Sequence, residues 1–141
     1  RYSSFFFFFF SMNTEQLALL FLRKAARLNG HINKALAESL DLTAPQLRIM
    51  EVVAKSAPAG CTVNTIKSSM FDPMSNVSRM LIKLEKKALI VRSPSSTDQR
   101  SVLIQLTREG KKNLIQGKQI MDTFLSRLDF MTPEEADVFT E

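Results

Sequence analysis

Short polar residues punctuate this chain in a way that leaves little choice of fold class. Asn13, Thr43, Thr62, Asp72, Thr107 and Thr132 each stand ahead of a segment with helical character. A side-chain oxygen in that place accepts a hydrogen bond from an otherwise unpaired N–H of a helix's first turn. Asn13 with Gln16 and Thr43 with Gln46 have capping-box spacing, and Pro45 sits where a first turn tolerates it. Asp72-Pro73 pairs an N-cap with proline at the first helical position, as Thr132-Pro133 does again. The spacing predicts helices over 14–40, from 44 to the breaker cluster Ala57-Pro58-Ala59-Gly60, over 63–70, 73–88 and 108–128, and a last one opening at 133. Leu89-Ile90-Val91 and Val102-Leu103-Ile104-Gln105-Leu106 are apolar runs of strand length around a turn-rich stretch, a hairpin with a long polar tip. The fold class is mainly α with one small β hairpin.

The first long helix carries more apolar surface than one neighbour covers. Leu17, Leu20, Phe21, Leu28, Ile32, Leu36 and Leu40 form one stripe, and Leu19, Leu22 and Ala26 widen it. In a chain of 141 residues, which is one domain's worth, a partner subunit is the expected cover. The helix from 108 has its own seam of Leu114, Met121, Phe124, Leu125 and Leu128. Residues 12–40 and 108–141 are thus expected to form a dimerisation region around a central unit, 41–107. Residues 1–11, with six consecutive phenylalanines, read as an extension foreign to the fold, with Met12 as initiator. Six apolar residues fall far short of the roughly 20 that cross a membrane, and no membrane partner is expected.

Several chemistries are excluded. One cysteine and one histidine supply neither a disulfide framework nor a structural zinc site. Cys61 and His31 lie far apart in sequence and offer no nucleophile–base set, so no enzyme, metal or cofactor is expected. Cys61 reads as structural, His31 and the methionines as packing groups. The four glycines are too dispersed for a phosphate-cradling loop. Beyond residue 11 there are five phenylalanines and no Tyr or Trp, too few rings for a platform that stacks single-stranded bases.

Charge points the other way. Residues 64–112 hold ten Lys/Arg against four Asp/Glu, a balance of +6, whereas the whole chain carries +5. A localised excess of this kind suits a polyanion. On a helical wheel, Met74, Val77, Met80, Leu81, Leu84 and Ala88 fall within about 60° of one direction. The opposite side holds Ser75, Asn76, Ser78, Arg79, Lys83 and Lys86. Small hydrogen-bonding groups and an arginine can read base edges in a major groove, and lysines can meet phosphates. A short helix, a turn, this helix and the hairpin make a winged helix-turn-helix. Asp98 and Arg100, two apart at the hairpin tip, point to one side, so the carboxylate can hold the guanidinium extended toward a narrow minor groove.

From Val77 to Lys87, followed by Leu89-Ile90, the chain resembles the recognition helix of MarR-type regulators. Asp98-Gln99-Arg100 and Leu106-Thr107-Arg108-Glu109-Gly110 are similar to that family's wing and the opening of its next helix. The resemblance implies a cytoplasmic homodimer, with two winged units binding a pseudo-palindromic operator in double-stranded DNA as a transcriptional regulator, chiefly a repressor. It implies base contacts from Ser75, Asn76, Ser78 and Arg79, backbone contacts from Lys83 and Arg92, and a minor-groove probe in Arg100 supported by Asp98. It also implies a small aromatic or phenolic effector. The competing reading is a winged-helix protein-interaction module without DNA binding. Two positions depart from the family. Ala88 stands where glycine is usual, and Ile82 stands on the polar side where an acid is frequent. Ile82 either packs on a neighbouring element or lowers specificity.

Overall fold

A computed structural model describes residues 13–95 and 101–126. In chain order they form α1 (Thr14–Leu40), α2 (Ala44–Lys55), α3 (Val63–Ser68), α4 (Val77–Lys86), β1 (Ile90–Pro94), β2 (Val102–Leu106) and α5 (Arg108–Leu125). The extension 1–11, the wing tip with Asp98 and Arg100, and the helix expected from 133 lie outside the described residues.

The caps form as the sequence implies. The Asn13 side chain accepts from the Gln16 N–H at 2.8 Å, and the Gln16 side chain accepts from the Asn13 N–H at 3.1 Å. Thr43 and Gln46 repeat the arrangement. Gln46 is buried, and its capping bond, 3.0 Å from the Thr43 N–H, satisfies its acceptor oxygen there.

Helix α2 is the centre of the core. Leu47, Ile49, Met50, Val52 and Val53 are all buried, and α2 packs against α1, α3, α4, α5 and β2. Ile66 of α3, Leu81 and Leu84 of α4 and Ile104 of β2 are fully buried in the same cluster. The hairpin is antiparallel, with Ile90 opposite Leu106 and Pro94 opposite Val102. A third backbone segment completes this small sheet. The Cys61 N–H donates to the Ile104 carbonyl at 3.0 Å, and the Ile104 N–H donates to the Cys61 carbonyl at 2.8 Å. That pairing was not visible in the sequence, because a single-residue bridge leaves no period-2 pattern.

The expected helix 73–88 begins later, at Val77. Asp72 does take a capping role, but for a turn that stops. Its carboxylate accepts from the Met74 N–H at 2.8 Å and its carbonyl from the Ser75 N–H at 3.0 Å. Asn76 then caps α4 in its place, accepting from the Arg79 N–H at 3.1 Å. Aspartate's affinity for the backbone N–H two residues on supports a turn as readily as a helix. One consequence is a correction at Met74. It is 89% exposed rather than part of the buried stripe.

Three elements meet after α4. Ala88 has φ 55°, in the left-handed region, at the position where the resembled family has glycine. The Thr107 hydroxyl donates to the Ala88 carbonyl at 2.7 Å, and its oxygen accepts from the Gly110 N–H at 2.9 Å. The Thr107 N–H donates to the Leu89 carbonyl at 3.1 Å. A Cβ at Gly110 would collide with that same Leu89 carbonyl, so no larger residue fits without backbone movement.

Two substitutions at this junction should act with opposite signs. Ala88→Gly relieves left-handed strain and should stabilise by about 1 kcal/mol. Gly110→Ala should destabilise by about 1–3 kcal/mol through overpacking. Urea midpoints at constant m-value measure both.

Candidate nucleic-acid interface

Helix α4 owes its orientation to one buried side. Val77, Leu81 and Leu84 are buried at a three- to four-residue spacing against α2, α3 and β1. That anchoring turns Ser78, Arg79, Ile82, Lys83 and Lys86 outward, all exposed. Among the described residues, Arg79, Lys83 and Lys86 form no ion pair with an acid, whereas other cations of the segment do. Their charge is presented to solvent.

The site residues expected from the sequence come together in part. Ser75, Asn76, Arg79 and Lys83 line one cleft of about 240 Å³ with Met80 and with Thr43, Pro45 and Gln46 from the start of α2. The start of α2 is the part that sequence reasoning missed. Its capping box was legible, but nothing local says that it lies beside α4. Ser78 is exposed one helical position from Arg79. Asn76 is exposed, yet its side-chain oxygen is engaged by the Arg79 N–H. It therefore offers a base its amide donors rather than a donor–acceptor pair. Asp98 and Arg100 lie outside the described residues.

Arg92 sits differently from a free backbone-binding cation. Its Nε is 3.1 Å from the Glu85 carboxylate, linking the wing's first strand to the recognition-type helix. Lys87 is likewise engaged. Its Nζ lies 2.8 Å from the Asp41 carboxylate and also donates to the Asp41 backbone carbonyl. The hydrogen bond from Lys87, reinforced by its charge, holds the Asp41 carboxyl below its ordinary range. Because Asp41 is the left-handed C-cap of α1, this pair fastens the end of α4 to the end of the long helix. Of the positive segment's cations, then, some orient elements and others face outward.

Cys61 is 4% exposed, and burial raises its thiol pKa. A thiol held protonated inside the core is a poor nucleophile, which supports the structural reading.

Comparison with known proteins decides the family. Residues 31–116 match the family described as Transcriptional regulator SarA/Rot. The chain belongs to this family. It is a transcriptional regulator by family, and its fold is the winged helix-turn-helix also seen in a MarR-like regulator of Bacillus cereus ATCC 10987 at a TM-score of 0.71 and 22% identity. It is similar to the uncharacterized HTH-type transcriptional regulator YfiV of Bacillus subtilis, 31% identical over 103 residues, which cover 72% of this chain and 63% of YfiV. The transcriptional regulator HosA of Escherichia coli O157:H7 is 28% identical over 131 residues, 90% of this chain and 88% of HosA. Among solved structures, the Staphylococcus aureus MepR–DNA complex superposes with a TM-score of 0.73 at 25% identity, covering 87% of this chain and 90% of MepR. In this SarA/Rot-family chain no described helix is long and apolar enough to cross a membrane.

The Cys61 environment makes a direct prediction. A thiol-specific reagent at pH 8 should label the folded protein slowly and the urea-unfolded protein fast, with the labelled fraction following the unfolding transition.

Proposed function

We propose that this chain acts as a homodimer that binds a pseudo-palindromic operator in double-stranded DNA and represses transcription from it. One observation carries the reading. A helix fully anchored on one side presents Ser78, Arg79, Lys83 and Lys86 on the other, outside the ion pairs that occupy neighbouring cations. Arg79, with Ser75, Asn76 and Ser78, reads base edges, and Lys83 and Lys86 meet phosphates. Arg92, aligned by Glu85, contacts the backbone beside the wing, and Arg100 enters the minor groove with Asp98 as its support. Acting on chromosomal DNA places the protein in the cytoplasm, and no catalytic step is assigned to it.

Dimerisation is supported by α1. Over its first two-thirds, residues 14–31, no residue is fully buried, and Leu19 and Leu22 are 54% and 62% exposed. Leu125 of α5 is exposed as well. Apolar residues at helical spacing over a helix about 40 Å long call for a second copy. A cavity of about 330 Å³ between α1 and α5, lined by Ser39, Leu40, Gln116, Gln119, Ile120 and Thr123, has the size and mixed lining to take a small aromatic or phenolic effector. Occupancy there would bias the angle between the dimer helices and the winged unit.

Two variants separate reading from holding. Arg79→Ala should cost about 1–3 kcal/mol of discrimination between operator and unrelated duplex. Lys83→Ala should weaken all duplexes alike and lower the salt slope by about one. Titrations by fluorescence anisotropy at several salt concentrations measure both. Parent-like binding of every duplex by both variants would refute the assignment, whereas no binding of any duplex by the parent would favour a protein-interaction module.

A further inference from the structure

The outward side of α4 is not uniformly polar. Ile82 is 48% exposed, between Ser78 and Arg79 one turn earlier and Lys86 one turn later. It stands outside the buried core cluster and the side chains packed against it. Met74, in the turn capped by Asp72, is 89% exposed immediately ahead of Ser75 and Asn76. Isolated exposed apolar side chains are ordinary on protein surfaces. These two are unusual in their company, since each stands among hydroxyl, amide and cationic groups that suit base edges and phosphates. Phe71, also exposed, differs from both. The Arg48 guanidinium lies over one face of its ring, 4.8 Å from the centroid.

The major groove offers one apolar group for such side chains, the C5-methyl of thymine. We propose that Ile82 and Met74 are specificity-determining residues that read thymine methyls in the operator. Ile82 lies four residues beyond Ser78, roughly 6 Å further along the helix axis, so it meets a different base pair from the one Ser78 meets. Met74, unbranched and outside the helix, reaches a third. Helical order fixes Ile82 and makes it the sharper reader. Flanking cations at Lys83 and Lys86 bring the phosphates close, and the apolar side chains are desolvated only against a correctly placed methyl. An aliphatic group therefore replaces an acid's negative charge on this surface with a contact that depends on sequence.

This inference rests on the DNA-reading role of α4, and its test distinguishes the two. The operator is first recovered by selection from random duplexes with the full-length protein. Each thymine of one half-site is then replaced singly by deoxyuridine, which removes the methyl and leaves pairing intact. The parent protein should lose about fourfold in affinity at the thymine under Ile82, the value of one buried methyl, and a similar factor at the thymine under Met74. Ile82→Ala, a change at a solvent-facing helical site, should bind the thymine operator about fourfold more weakly and show no further loss with uracil at the first position. It should keep the uracil penalty at the second. Met74→Ala should show the reverse. Parent binding without any uracil penalty, or variants that keep every penalty of the parent, would overturn the inference and leave the regulator reading intact. Absence of duplex binding by the parent would overturn both.

Discussion

A single threonine ties together the parts on which the rest of this molecule depends. Thr107 starts α5, pairs with the end of α4 through Ala88, and pairs with the start of β1 through Leu89. Helix, wing and the last described helix are thereby fixed to one another within a few residues. Gly110 completes the junction, because its missing side chain lets the backbone of α5 lie against the Leu89 carbonyl. One residue before Ala88, Lys87 grips the C-cap of α1 at Asp41. The recognition-type helix is thus attached to both long helices.

Given that frame, function follows from how one helix divides its residues. Val77, Leu81 and Leu84 are buried deeply enough that rotating α4 would bring charged groups into the core. The outward residues are therefore presented in one orientation, as direct readout requires. Pairing of Arg92 with Glu85 and of Lys87 with Asp41 removes two cations from the general positive field. What faces outward on α4 is a smaller and better ordered set than the charge count suggests.

Most of the architecture was legible because caps and apolar spacing are local signals. Asn13, Thr43, Thr62 and Thr107 each cap the helix they announce. The strand 102–106 was legible for the same reason, whereas the left-handed φ at Ala88 was not, because alanine carries no local signal for it. Less legible was anything set by competition or by distance in sequence. Asp72 and Asn76 are both good caps, and which one starts α4 depends on how Val77, Leu81 and Leu84 seat in the core. The cleft joining Thr43, Pro45 and Gln46 to Arg79 spans more than thirty positions, as does the bridge from Cys61 to Ile104. Glu85 and Arg92 show the same limit. Their charges are plain in the sequence, but their pairing depends on how the hairpin leaves the helix.

The central claim is that two copies of the outward side of α4 read a symmetric stretch of double-stranded DNA. Selection of bound duplexes from a random pool, followed by sequencing, tests it most directly. The expected result is enrichment of a pseudo-palindrome whose half-sites lie about one helical turn apart, roughly 10 bp. Recovery of unenriched or asymmetric sequence would contradict it.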